Sequence, residues 1–226
     1  MAAVISTSPD PPPFSVLQAF CLSGSPIKLD GGGGQSFLVG DAVVKPTKGD
    51  DAIAEWICSV LYDLPQVDTI RTLRPLKAED GKFVFAGWTA AIFMKGDTKV
   101  NGRWGELLEA ARQFHALLRD IPCRTIVTQQ TDRWAMADLV AWDERQISEV
   151  FSPLQECFKR LVDLRTSVTI TNSQIVHVDL CGNVFFANEY PPRMIDFSPY
   201  WRPLEYAEAI IVVDGLLDEG EGESLI

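Results

Sequence analysis

Residues 175–196 form the segment that most constrains the fold of this chain. An apolar run ends at His177, Asp179 and Asn183 follow closely, and Asp196 comes after two short apolar stretches. Because these stretches are β-prone and are separated by turn-forming residues, we expect them to pair as a hairpin. The hairpin would return Asp196 towards Asp179. The sequence therefore predicts two carboxylates and one amide gathered at the base of one hairpin.

These polar groups suit phosphoryl transfer. That reaction needs one carboxylate to orient the attacking hydroxyl, and an amide oxygen and a second carboxylate to hold magnesium over the phosphates. Asp179, Asn183 and Asp196 would fill those roles in that order. The alternative is that His177 and Asp179 close a buried strand and Asn183 caps a turn, because single polar residues are common at such positions. The coincidence of several matches favours the first interpretation.

With this loop the chain resembles the aminoglycoside phosphotransferase and choline kinase group, relatives of the protein kinases. In that group His-x-Asp is followed by Asn and later by Ile-Asp-Phe, which residues 195–197 supply here. The resemblance implies ATP and Mg²⁺ as cofactors, Asp179 and His177 as the catalytic pair, and Asn183 and Asp196 as metal ligands. Within the pair, it gives His177 the part of bracing the loop. Asn183 lies four residues beyond Asp179, whereas a spacing of five is usual in these kinases.

A glycine-rich turn lies near the amino terminus, followed by a strand, a Gly-Asp turn and a second strand that ends in lysine. Without side chains, backbone N–H groups can approach phosphate oxygens, and the lysine can neutralise the α and β phosphates. A plain flexible loop is the alternative, and no Gly-Lys-Ser or Gly-Lys-Thr of a Walker loop follows. The candidate nucleotide-binding residues here are Gly31, Gly32, Gly33, Gly34, Ser36 and Lys45.

Residues 51–64 carry apolar side chains at helical spacing, with Glu55 in the first turns. In the resembled fold a glutamate of this helix pairs with the strand lysine, so Glu55 is the candidate partner of Lys45. A solvated helix glutamate is the alternative.

Residues 82–96 are rich in aromatic and β-branched types and should supply the last strands of a five-stranded sheet. Gly96 would then mark the hinge between two lobes. By resemblance the adenine ring would bind the backbone near Phe93, Met94 and Lys95, with Met94 the central candidate.

Three helices are expected in the second half. Apolar spacing predicts one from Trp104 to about Arg119, with His115 as a core or boundary residue beside its stripe. Ser152 as N-cap predicts another from Pro153 to about residue 166, and Pro203 opens a last one. The buried face of the second helix is predicted to use Leu154, Cys157, Phe158, Leu161 and Leu164.

The expected fold class is α+β: a bilobal protein-kinase-like fold with a small antiparallel-sheet lobe and a mainly helical lobe. The expected boundaries are a disordered segment 1–14, a nucleotide-binding lobe 15–96, a catalytic lobe 97–217 and a loose acidic tail 218–226. Members of the resembled group usually continue through further helices that help build the acceptor pocket. A shortened helical lobe is therefore expected, with a partner chain or dimer as one way to complete the pocket.

Composition excludes some partners. A net charge of −11 and a pI near 4.6 argue against nucleic acid and anionic membranes. The 5 cysteines are widely spaced, without a CxxC pair, and only 2 histidines are present. This pattern indicates reduced thiols in the cytoplasm. No secretory signal or membrane span is predicted.

Two functions remain open. The first is a kinase that moves the γ-phosphate of ATP to a hydroxyl of a small molecule, of aminoglycoside or amino-alcohol type. The alternative is a catalytically weak nucleotide-binding or interaction module of the same fold, motivated by the short loop and the shortened helical lobe. A protein kinase proper is disfavoured, because Asp196 is followed by Phe197 and Ser198 and not by Phe-Gly.

Overall fold

The computed structural model describes residues 10–30, 34–165 and 172–222. The expectations for Gly31, Gly32 and Gly33, for the first nine residues and for the last four lie outside these ranges.

The first lobe is built on a mainly antiparallel sheet. Its strands lie in the order β1-β2-β3-β7-β5, and β6 pairs with the remaining length of β7, so the sheet is five strands wide. The β6–β7 hairpin turns through Ala86 and Gly87, both at positive φ, as a tight hairpin of matching twist requires. The elements are α1 (Phe14–Ala19), β1 (Ile27–Lys28), β2 (Phe37–Val39), β3 (Ala42–Pro46), α2 (Asp51–Asp63), β4 (Arg71–Thr72), β5 (Pro75–Leu76), β6 (Val84–Phe85) and β7 (Trp88–Ile92).

The second lobe combines helices with two small sheets. In one sheet β8 pairs antiparallel with β11, and in the other β10 lies between β4 and β9. The elements are α3 (Trp104–Leu118), α4 (Thr125–Thr128), α5 (Arg133–Ala141), a 3-10 turn (Ser152–Leu154), α6 (Gln155–Arg165), β8 (Ser173–His177), β9 (Val184–Ala187), β10 (Tyr190–Met194), β11 (Pro199–Pro203) and α7 (Leu204–Leu217).

Each lobe has its own core. Val16 and Leu17 of α1 pack against Val39 and Val44 in the smaller core. The larger core surrounds the buried stripe of α3, which includes Phe114. These two cores, one under a sheet and one among helices, confirm the α+β bilobal fold.

Two elements from residues 15–96, α2 and β4, contact the second lobe and tie the two lobes together. Val60, Leu61 and Leu64, at the end of α2, belong to the larger core. Strand β4 pairs in parallel with β10, placing Thr72 beside Met194. The hairpin of β9 and β10 is thus held by both lobes.

The predicted burial of α6 is wrong. The helix forms, but Leu154, Leu161 and Leu164 are 56%, 59% and 57% exposed, Cys157 is exposed and Phe158 is only half-buried. Within the described range of α6, no residue is buried, so its apolar face is in contact with solvent. Periodicity specifies which side chains share a helix face, whereas burial depends on what the rest of the chain brings to it.

Within the described residues, no helix combines the length and the apolar character needed to cross a bilayer.

Candidate active site

The loop that carries Asp179 and Asn183 leaves the core at His177 and returns to it at Val184. Leu180, halfway along, is fully buried and anchors the loop. The backbone of Asn183 donates to the Leu180 carbonyl at 3.1 Å, and its carbonyl accepts from Ile195 N at 3.0 Å. Because of this last bond, the end of the loop and the approach to Asp196 move as one unit. The predicted hairpin is present, with β9 and β10 antiparallel.

His177 is fully buried and braces the loop from below. Its Nδ1 accepts from the backbone N–H groups of Asp179 and Ser198, both at 3.3 Å. Its own backbone N–H donates to Nε2 of His115 at 2.9 Å. An Nδ1 that accepts two N–H groups carries no proton, so the ring is the neutral Nε2–H tautomer. The His115 ring therefore supports the backbone of His177, and the His177 ring supports the backbone of the loop above it.

Burial keeps both histidines neutral. It lowers the pKa of His177 to about 3, with the neighbouring His115 acting in the same direction, and lowers the pKa of His115 to about 4. Phe114 and Phe197 enclose the His177 ring in edge contacts. A ring this enclosed fixes the loop in place and does not exchange protons with solvent at neutral pH.

Asp179 and Asn183 are joined directly. The Asn183 amide nitrogen donates to the Asp179 carbonyl oxygen at 2.8 Å, which leaves the amide oxygen as the group that can bind a metal. Asp179 itself reaches solvent. Partial burial raises the pKa of its carboxyl, the charge of Asp196 raises it further, and the Asn183 hydrogen bond lowers it. The charge of Asp196 therefore affects the protonation of Asp179.

Asp196 meets Lys45 across the lobes. The backbone of Asp196 has φ of 45°, a conformation that costs energy for a residue with a side chain and that tends to occur at functional sites. Lys45 leaves β3 opposite Thr89, and its Nζ pairs with Oδ1 of Asp196. The lysine of the sheet and the carboxylate of the hairpin thus face each other.

Glu55 does not pair with Lys45, contrary to the expectation. Its carboxylate accepts from the backbone N–H groups of Phe83 at 2.9 Å and Val84 at 2.8 Å. Amides at the outer edge of a sheet need an acceptor, and Glu55 provides one. The carboxylate therefore ties α2 to β6.

The described end of the glycine turn belongs to the connection between β1 and β2. Gly34 has φ of 68°, and a Cβ there would approach the Lys28 side chain at 3.6 Å. The Ser36 carbonyl accepts from Leu29 N at 2.9 Å and closes the hairpin.

The segment that follows β7 packs against the hairpin of β9 and β10. Met94 is half-buried after β7, and Arg193 of β10 donates to the Lys95 carbonyl at 2.8 Å. A Cβ on Gly96 would lie 2.5 Å from Cβ of Phe185, so only glycine permits this approach. Asp97 and Phe186 then exchange backbone hydrogen bonds of 3.0 and 2.8 Å. Gly96 thus lies where the lobes join.

Sequence reasoning overlooked two supporting residues. His115 was expected only to fill the core, although the pairing of the chain's 2 histidines was a usable signal. Arg193 had no signal in the sequence, because its partner is a backbone carbonyl of the hinge.

The open side of Asp179 is acidic. Tyr200 on β11 has its pKa raised by burial and then by Asp132, Asp138 and Asp179. Asp214 on α7 has its pKa raised by burial, by Asp218 and by Asp179.

One basic group offsets part of this acidity. Arg202 pairs with Asp138 and Glu144, so its single positive charge offsets one of these two negative charges. The region of Asp179, Tyr200 and Asp214 therefore keeps an excess of negative charge.

A magnesium ion fits the donor set. The carboxylate of Asp196 and the amide oxygen of Asn183 are hard oxygen donors of the kind that Mg²⁺ takes alongside water and phosphate oxygens. Among residues 10–30, 34–165 and 172–222, no group of three His, Cys, Asp or Glu side chains could hold a metal by itself.

Comparison with known proteins identifies the fold. No protein-family model and no curated protein sequence matches the chain. Solved structures do match, at low identity. An aminoglycoside phosphotransferase from Alicyclobacillus acidocaldarius aligns with a TM-score of 0.62 and 13% identity, over 96% of this chain and 74% of that one. Amicoumacin kinase hAmiN, in complex with AMP-PNP, Ca²⁺ and Ami, aligns with a TM-score of 0.60 and 14% identity, over 89% of this chain and 68% of that one.

A third structure extends the group. Choline kinase LicA from Streptococcus pneumoniae aligns with a TM-score of 0.56 and 14% identity, over 93% of this chain and 76% of that one. All three chains are longer than this one. The chain therefore has the bilobal fold shared by aminoglycoside phosphotransferases and choline kinases.

Proposed function

We propose that this chain is an ATP-dependent phosphotransferase that transfers the γ-phosphate to a hydroxyl of a small molecule of aminoglycoside or amino-alcohol type. The observation that carries the proposal is the meeting of Lys45 with Asp196 across the lobes, next to Asp179 and Asn183. In a fold shared with small-molecule kinases, the contact supports a site in which Lys45 would face phosphates, Asn183 and Asp196 would bind a metal, and Asp179 would orient the acceptor.

The residues divide the work between positioning and charge, which is most of what phosphoryl transfer requires. Asn183 and Asp196 would hold Mg²⁺, which supplies neutralisation of the phosphate charge when bound. Lys45 would bind the α and β phosphates. Asp179 would orient the acceptor hydroxyl and receive its proton, a task that a raised pKa favours.

The remaining nucleotide contacts follow the fold. Backbone N–H groups of the turn that contains Gly31, Gly32, Gly33 and Gly34, together with Ser36, would cover the phosphates. The backbone at Met94 would receive the adenine ring. Glu55 would support the nucleotide lobe through β6, and His177 would brace the catalytic loop.

The surroundings of Asp179 support a cationic acceptor. Asp214 interacts electrostatically with Asp179, Asp218 adds negative charge beside Asp214, and Asp132 adds it beside Tyr200. An amine-bearing substrate would be attracted there, whereas an anionic acceptor would be repelled. Net charge and cysteine pattern further support a cytoplasmic protein that binds neither nucleic acid nor membrane.

A catalytically weak interaction module is the second candidate. It is favoured by the short spacing from Asp179 to Asn183 and by the uncovered apolar face of α6. On this proposal a partner chain or a second copy would cover α6 and complete the acceptor side.

Calorimetric titration with Mg·ATP and an ATP-consumption assay over a panel of aminoglycosides and amino alcohols separate the two candidates. The kinase predicts acceptor-dependent turnover that falls about 10²–10⁴-fold in Asp179→Asn. Asp63→Asn, at the exposed end of α2, is the matched control and should keep its turnover. Nucleotide binding without Asp179-dependent turnover would reject the kinase in favour of the module.

A further inference from the structure

The Lys45–Asp196 pair has a consequence for how metal reaches the site. Asp196 is the carboxylate that would bind Mg²⁺, yet its Oδ1 is already paired with an ammonium group. A lysine ammonium and a divalent cation at the same carboxylate repel each other. Metal and lysine therefore compete for Asp196.

Glu55, the carboxylate expected to pair with Lys45, makes its hydrogen bonds to different groups. The Glu55 carboxylate accepts from Phe83 N, just before β6, and from Val84 N, the first residue of β6. Moving Glu55 to Lys45 would leave those edge amides without their acceptor. In the described part of the chain, Lys45 forms its ion pair with Asp196.

The pair is also easy to exchange. The side chains of Lys45 and Asp196 are 42% and 35% exposed, and ion pairs in contact with water hold only weakly. A polyphosphate carries more negative charge than one carboxylate and would draw the ammonium away. The contact is strong enough to occupy Asp196 and weak enough to yield to a nucleotide.

We propose that Lys45 is the resident cation of the metal site: it occupies Asp196 in the nucleotide-free protein, so that a divalent ion binds only together with the nucleotide that removes the lysine. This inference rests on the proposed function, since it takes Asp196 and Asn183 as the metal ligands. It adds an order of binding, in which free Mg²⁺ finds no site and Mg·ATP does. By linkage, nucleotide and metal then raise each other's affinity.

Binding of Mn²⁺ to the full-length protein without nucleotide tests the inference. Mn²⁺ shares the octahedral oxygen coordination of Mg²⁺ and can be followed by electron paramagnetic resonance. Lys45→Gln should bind Mn²⁺ at least about tenfold more tightly than the wild type. Lys159→Gln on α6 removes the same charge far from the site and serves as the control, expected to match the wild type. Adding Asp196→Asn to Lys45→Gln should abolish the gain.

Two outcomes overturn the inference: Lys45→Gln binding Mn²⁺ no better than Lys159→Gln, or a gain that survives Asp196→Asn. Both can occur while acceptor-dependent turnover is present, and then the proposed function stands without the inference. A gain that depends on Asp196, in a protein that phosphorylates no acceptor, supports the inference and rejects the phosphotransferase.

Discussion

The two walls of the candidate site are held by opposite means. On the hairpin wall, His177 is fully buried and Leu180 and Val184 are inaccessible to solvent. On the sheet wall, Lys45 is 42% exposed and is tied to the hairpin by one ion pair. The same site thus has one wall built into a core and one wall that is partly exposed to solvent.

The difference separates what must stay fixed from what must exchange. A buried hydrogen-bonded histidine holds the loop in one geometry, because any departure leaves buried N–H groups without partners. An exposed ion pair contributes little to folding and can be replaced by a ligand. Under the proposed function, the first wall would orient the acceptor and the second wall would bind the nucleotide.

Acid should weaken the hairpin wall most. Both histidines have folded pKa values, about 3 and about 4, that lie below the ordinary value of 6.5. Below pH 6.5 the unfolded chain takes up protons that the folded chain refuses, so the free energy of unfolding falls as pH falls towards 4. The slope should approach about 1.4 kcal/mol per pH unit for each histidine. Denaturant titrations at pH 7, 6 and 5 measure it.

His115→Gln isolates this effect. Asp179 and Asp214, whose pKa values are raised, contribute in the opposite direction as pH falls. Since they are present in both proteins, the difference between wild type and variant reports the contribution of His115. An identical pH dependence of unfolding in the two proteins would contradict the assignment of neutral, buried rings.

Removing the His177 ring should be the next largest effect. His177→Ala leaves the N–H groups of Asp179 and Ser198 without an acceptor and opens a cavity beside Phe114. We expect a loss of about 3–5 kcal/mol in the free energy of unfolding at pH 7. Trp134→Ala, at a side chain 66% exposed, is the control and should change stability by about 0.5 kcal/mol or less. A comparable small loss in His177→Ala would mean that the ring is not a brace.

Gly96 tests the joint between the walls. In Gly96→Ala the new Cβ would meet Cβ of Phe185 at 2.5 Å, so backbone must move, at a cost of about 1–3 kcal/mol. Gly105→Ala in α3 has nothing within 4 Å and should be neutral or stabilise by up to about 1 kcal/mol. Thermal or urea unfolding compares the pair. Equal stability of the two variants would show that the hinge does not touch the hairpin.

Lys45 should affect stability least. Lys45→Gln removes one half-exposed ion pair, and the expected change in the free energy of unfolding is below about 1 kcal/mol. Nucleotide affinity should nevertheless fall, because the ammonium would bind phosphates. A loss of stability as large as that of His177→Ala would erase the distinction between the walls.

Local patterns were enough to predict the elements that carry the site. The hairpin followed from residue types and turn signals, and α3 followed from its apolar period, because both depend on neighbours in sequence. Glu55 could not be assigned, since its amide partners lie 28 and 29 residues away and do not show in side-chain chemistry. The exposure of α6 could not be predicted either, because the spacing of its apolar residues is the same whether or not another element packs against them.

A crystal structure of the full chain with Mg²⁺ and AMP-PNP tests the central claim most directly. The account predicts a metal about 2.0–2.1 Å from oxygens of Asn183 and Asp196, with Lys45 moved from Asp196 to the phosphates and adenine at the backbone near Met94. A nucleotide bound elsewhere, or a metal that contacts neither Asn183 nor Asp196, would contradict it.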